Sequence, residues 1–140
     1  MKCTKSNIRE RGLTLVEITI TLAILAVLIG LAYPSYMQQV RKSHRMVALG
    51  DMLAIQHELE RSYDSGYQID HIISSGSCLI CNSPATRYQF DVTIDSHAAY
   101  IIKAVAQDLQ QQNQDSCLND NKTMTLNALG ETTPSACWGQ

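Results

Sequence analysis

The sequence predicts an α+β protein: one long N-terminal helix, apolar and membrane-spanning in its first half and bent near Pro34, packed on a small antiparallel sheet of about three to four strands. Three observations carry that expectation. Leu13 to Tyr33 is an apolar run whose single charge is Glu17. Beyond Pro34, Met46, Leu49, Met52, Leu53, Ile55, Leu59 and Tyr63 recur at helical spacing with charges between them. From Tyr88 onward the period changes to the strict alternation of half-buried strands.

Residues 1–12 read as a separate polar segment. Four of the eleven Lys and Arg (Lys2, Lys5, Arg9, Arg11) and one of the thirteen acids (Glu10) precede Gly12, leaving seven cations against twelve acids in the rest. Such an acidic remainder lacks the electrostatic footprint of a generic nucleic-acid binder. The five cysteines are Cys3, Cys78, Cys81, Cys117 and Cys137, an odd number that leaves one thiol over in an oxidising compartment. Loss of residues 1–12 removes Cys3, and two disulfides then suit a small extracytoplasmic domain; the alternative is four reduced thiols in a cytosolic protein.

Residues 13–34 form the candidate membrane span. Leu13 to Tyr33 holds twelve Leu, Ile and Val. Together they favour insertion by roughly 4 to 7 kcal/mol, against a cost of about 3 for one acid at mid-bilayer. Glu17 lies near one end, where its cost is lower. Arg9 and Arg11 keep their side cytoplasmic and leave the C-terminal portion outside. Pro34 removes a backbone donor and clashes with the preceding turn, hence the expected bend. A secretory signal places its cleavage site after the apolar region, whereas Gly12 here stands before it.

Residues 35–63 continue as an amphipathic helix, with Arg41, Lys42 and Arg45 as a basic cluster just outside the membrane, facing solvent, lipid headgroups or an acidic neighbour. Residues 64–140 hold the remainder. Gly, Ser and Pro from Asp64 to Arg87 read as an irregular loop around Cys78-Leu-Ile-Cys81. That CxxC fits a redox motif, half a zinc site or a local disulfide. With no second CxxC and no βαβ pattern the disulfide is favoured over metal, and His57 and His71 complete no zinc set by spacing. Strands are expected at Tyr88 to Ile94, Ala99 to Ala106 and Thr123 to Ala128, with Asp95-Ser96-His97 turning between the first two. Asn121-Lys122-Thr123 fits a glycosylation triplet of a kind frequent by chance. No spacing among Ser, His and Asp marks a nucleophile with its base, so no catalytic residue, cofactor or metal is expected.

The stretch RERGLTLVEITITLAILAVLIGLAYPSY resembles the class III leader and spine helix of type IV prepilins and pseudopilins. The likeness rests on Gly12 at the cut, a large apolar residue next, Thr14, Glu17 as the fifth residue after the cut and Pro34 as the twenty-second. Leu13 stands where Phe is usual. YPSYMQQVRKSHRMVA and the closing Cys137-Trp138 pair are similar to PilE-like pilins. The resemblance implies a pilin fold, cleavage between Gly12 and Leu13 by a membrane prepilin peptidase, N-methylation of Leu13, and filament assembly through Leu13, Glu17 and Pro34, with Glu17 facing a neighbour's N-terminal ammonium.

It also implies a Cys117–Cys137 bridge. Other pilin subunits and inner-membrane assembly machinery are the implied partners. The implied location is the bacterial inner membrane before assembly and an extracellular fimbrium after it. The reading is a minor pilin supporting adhesion, twitching motility or DNA uptake, with a type II secretion pseudopilin and a DNA-receptor minor pilin as alternatives. The receptor alternative is the less favoured, because beyond the stem cluster only Arg61, Arg87, Lys103 and Lys122 remain to build a basic strip.

Overall fold

A computed structural model describes residues 12–97 and 99–139. Apart from Gly12, the expected leader lies outside the described residues. The chain divides into two units, the first ending at Tyr36 and the second beginning at Met37. Helix α1 (Leu15–Arg61) contributes to both and is continuous through Pro34.

In the first unit every large apolar side chain from Leu13 to Tyr36 is exposed; Leu15 is 78 % accessible and Leu31 76 %. From Leu22 to Ala32 only Leu, Ile, Val, Ala and Gly30 occur, while Thr14, Glu17, Thr19 and Thr21 lie in the turns before it. Its best eighteen-residue stretch averages a hydropathy of 2.5, long and apolar enough to cross a membrane.

In the second unit one face of α1 is buried, through Arg45, Ala48, Leu49, Asp51, Met52, Ile55 and Leu59. Steps of three and four keep these residues in line. Met46 and Leu53, expected in the core, lie one position off that line, about 100° round the helix. They and Tyr63 are exposed, at 43 %, 52 % and 56 %. Ala48, which the apolar stripe did not include, is fully buried.

Four antiparallel strands complete the domain in the order β3 (Tyr88–Asp95), β4 (Ala99–Ala106), β5 (Thr123–Asn127), β6 (Thr132–Thr133). Alternation decides which face goes inward: Tyr88, Phe90, Val92, Tyr100, Ile102, Ala104, Ala106, Met124 and Leu126 are all buried. Register follows, with Val92 opposite Ile102 and Ile102 opposite Leu126.

The loop expected to be irregular contains a two-stranded ribbon, β1 (Ile73–Ser74) and β2 (Ser77–Cys78). Its two central residues, Ser75 and Gly76, have φ of 53° and 76°, the handedness that joins antiparallel strands in two residues. A short helix α2 (Ser135–Trp138) carries Cys137 into the core.

Candidate functional site

Two regions present groups beyond those that build the core. The first is the start of α1. Thr14 precedes the first helical turn, and the Glu17 carboxylate reaches back to it: Oε2 accepts from the Thr14 amide and from its hydroxyl, each at 2.8 Å. The Glu17 amide donates to Thr14 Oγ1 at 3.2 Å in return. This is a reciprocal capping box, which satisfies helix donors that nothing else in an apolar environment would meet. Thr19 and Thr21 donate to the carbonyls of Val16 and Ile18, both at 2.8 Å. The polar side chains of this turn are thus answered within the chain, while Glu17 Oε1 makes no hydrogen bond among the described residues. The Thr-x-x-Glu spacing is the signal that sequence reading could have used to give Thr14 this role.

Two buried attachments fasten the loops of the second unit to its helix segment. Asp51, 2 % exposed, accepts from the Asn82 amide at 2.9 Å and the Ser83 amide at 2.8 Å. One carboxylate therefore holds the chain just past Cys78–Cys81, which form a disulfide. Leu79 and Ile80, between these cysteines, are exposed.

The second attachment holds the long loop 107–122 between β4 and β5. Arg45 is buried against Asp115 as an ion pair, and its Nη1 also lies 3.0 Å from Cys117 Sγ. Arg45 therefore leaves the basic surface cluster in which the sequence placed it, because its position on the buried line turns it toward the loop. Gln112 is fully buried; its Nε2 donates to the Arg41 carbonyl at 3.0 Å and the Tyr88 hydroxyl at 3.1 Å. Arg87 Nη1 donates to the Gln110 carbonyl at 3.1 Å and Gln112 Oε1 at 3.3 Å. Arg87 is 8 % exposed, which removes it from any surface strip. Burial pushes the Tyr88 hydroxyl up to about 12, and lowers the His44 imidazole, with Arg87 adding to the effect.

Cys117 pairs with Cys137 across 20 positions. Among the described residues the exposed cations are Lys42 and Arg61; Arg41, Lys103 and Lys122 are half-buried, and Arg61 is bound to Glu58 at 2.9 Å. Among the described residues no cluster of three or more His, Cys, Asp or Glu has the arrangement of a metal site.

An exposed apolar helix segment continuing into a disulfide-linked α+β domain defines a pilin-type protein. A solved type IV pilin from Shewanella oneidensis has the same fold, with a TM-score of 0.51 at 24 % identity over 71 % of this chain and 99 % of that one. Residues 34–121 match the family described as type IV minor pilin ComP, DNA uptake sequence receptor, and this chain belongs to that family. Residues 7–33 match the prokaryotic N-terminal methylation motif. The type II secretion system core protein G of Pectobacterium carotovorum subsp. carotovorum is 36 % identical over 56 residues, 40 % of this chain; the chain spans only about a third (36 %) of that relative's length.

Proposed function

We propose that this chain is a minor pilin that enters a type IV pilus through its N-terminal helix and there serves as a DNA receptor. The observation that carries the first half is the exposed apolar surface from Leu13 to Tyr36. Such a surface is stable only in lipid or against other apolar helices, and assembly exchanges the one for the other. In this reading the prepilin peptidase cuts between Gly12 and Leu13 and the new Leu13 amine is methylated. The positive terminus then lies beside the free oxygen of Glu17, on the same subunit or a neighbour, and Pro34, which lacks a backbone donor, loosens the helix locally for packing in the filament. Other pilins and the inner-membrane assembly machinery are its partners, first in the membrane and then in the fimbrium. Intact mass with N-terminal sequencing, in cells with and without the peptidase, tests this half: a methylated Leu13 start that depends on the peptidase is expected, and a retained Met1 start overturns it.

The family match, which covers most of the globular domain, raises DNA from a partner possible but not favoured to the proposed one. The charge pattern limits how it binds. Of seven cations after Gly12, Arg45 and Arg87 are buried, so at most five meet phosphates. Each phosphate neutralised adds about 0.9 to the slope of log affinity against log salt. A slope no steeper than about −4.5 is therefore expected, shallower than that of basic DNA-binding domains. Retention of duplex DNA at low salt tests this half, and no retention ends it.

A further inference from the structure

Resting on the DNA-receptor reading, we propose that the β4–β5 loop, through Leu109, Gln110, Gln111 and Gln114, is the element that reads base edges. The loop 107–122 is unusual in composition: QDLQQQNQD opens it, with five glutamines and an asparagine in nine positions. Side-chain amides carry a donor and an acceptor side by side, the pairing that recognises base edges in the major groove, and they bring no charge to draw the loop to phosphate indiscriminately.

The loop is held before any ligand arrives. Gln112 and Asp115 point inward and are buried, Cys117 is bridged to Cys137, and Arg45 and Arg87 tie the loop to the helix and to the start of β3. The residues between these anchors point outward. Leu109 is 77 % exposed, too isolated to belong to the core. Arg41 Nη2 donates to Gln111 Oε1 and to Gln114 Oε1, each at 3.2 Å. One guanidinium therefore occupies both amide oxygens, leaves both NH2 groups as donors and polarises them. The Gln110 side chain makes no hydrogen bond among the described residues and keeps both its donor and its acceptor. Asn113 is spent on Asp108.

Each group has a matching feature on DNA. Gln110 fits adenine N6 and N7 as a bidentate pair, and the NH2 groups of Gln111 and Gln114 fit the acceptors N7 of purines and O6 of guanine. Leu109 fits a thymine methyl. Phosphates fall to cations that make no hydrogen bond to these amides, Lys42, Lys103 and Lys122. This division separates specificity from affinity, a separation suited to a chain whose net charge opposes DNA.

The test uses the full chain in detergent and a pool of duplexes with a randomised core, sequenced after retention at low salt. The wild type is expected to enrich one motif. Gln110→Ala and the double variant Gln111→Ala/Gln114→Ala should lose about tenfold or more of the preference for that motif over a scrambled duplex, while binding to the scrambled duplex changes less than about twofold. Lys122→Gln and Lys103→Gln should weaken both duplexes alike. Gln110→Glu keeps the side-chain size and should move the preference at one position from adenine toward cytosine, which offers a donor to a carboxylate. Intact mass showing both disulfides, with an unchanged circular dichroism spectrum, separates misfolding from lost contacts. Unchanged motif preference in the loop variants overturns the inference, and it does so equally if those variants impair filament assembly instead. A wild type that retains no duplex ends the DNA-receptor reading itself, a result distinct from retention without loop dependence.

Discussion

Arg45 and Asp115, 70 residues apart in sequence, form a buried ion pair that joins the spine helix to the β4–β5 loop. Removing one partner leaves the other as an uncompensated buried charge, at a cost of about 3 to 5 kcal/mol. Arg45→Met and Asp115→Leu should each lower the unfolding free energy by that amount, read as a fall in the urea midpoint. The double variant should recover most of it, because an apolar pair of similar volume carries no desolvation penalty. Urea denaturation followed by circular dichroism checks this. A double variant no better than the sum of the two singles would show that the pair acts separately.

Asp51 makes a comparable attachment with backbone rather than with a charge. Each hydrogen bond to an ionised group contributes about 1.5 to 3 kcal/mol, and Asp51 accepts two. Asp51→Ala should destabilise by about 3 to 6 kcal/mol and make the segment around Cys81 sensitive to protease under native conditions. Limited proteolysis with mass mapping reads the second effect. Cleavage at unrelated sites would place the loss elsewhere.

The main elements of this fold were legible in the sequence because their signals are local. Glu17 alone in an apolar run, and Tyr88, Phe90 and Val92 in alternation, need no knowledge of what packs against them. The two attachments were not legible, since Arg45 pairs with Asp115 and Asp51 with Asn82 and Ser83 across long stretches of chain, and a charge on a helix is read as solvated by default. The same default put Arg45 and Arg87 on the surface. The phase of the helix decided otherwise for Arg45, and Arg87 was turned inward by a carbonyl and a glutamine that no pattern announced. Of the candidate site, the Thr14–Glu17 cap followed a known spacing, whereas the outward glutamines of 110–114 became visible only once Gln112 was seen to point in.

The two disulfides should differ in strength and accessibility. Closing 20 positions, as Cys117–Cys137 does, removes about 3 kcal/mol of chain entropy from the unfolded state, and closing three, as Cys78–Cys81 does, about 2. Cys137 is 1 % exposed, while Cys78 and Cys81 are half-buried. Mild reduction followed by alkylation and peptide mapping should label Cys78 and Cys81 first, with a loss of about 2 kcal/mol in stability, and opening Cys117–Cys137 should cost about 3. Labelling of Cys137 first would contradict the burial argument.

Tyrosine ionisation should report burial. Tyr88 is held up to about 12 by burial, and Tyr100, which donates to Glu60 at 2.6 Å, is likewise raised by burial first and by that carboxylate second. A folded pKa above the unfolded value contributes stability that is complete below the ordinary tyrosine range and is lost as pH rises through the folded value. The protein should therefore hold its stability to about pH 10 and lose it steeply toward pH 12, with Tyr88→Phe flattening the fall. Ultraviolet titration beside thermal melts checks both. His44 acts in the opposite direction: its lowered pKa favours the neutral ring in the fold, so its contribution is present above the ordinary histidine range and declines as pH falls.

Glu17 combines two roles that substitution can separate. Its side chain closes the capping box with Thr14, and its charge is available to the Leu13 ammonium formed by cleavage. Glutamine serves in a capping box as glutamate does, so Glu17→Gln keeps the start of the helix and removes only the charge. Glu17→Val removes both, and Thr14→Val removes only the side-chain part of the cap, worth about 1 kcal/mol. If charge pairing sets the register of assembly, Glu17→Gln and Glu17→Val should incorporate into sheared filaments equally poorly, while Thr14→Val incorporates at a level near wild type. If the cap matters more, Glu17→Gln should incorporate well and Thr14→Val poorly. Immunoblots of sheared filaments against whole-cell levels decide between the two, and the charge argument requires the first pattern, because a membrane helix that loses one cap still keeps the rest of its internal hydrogen bonds.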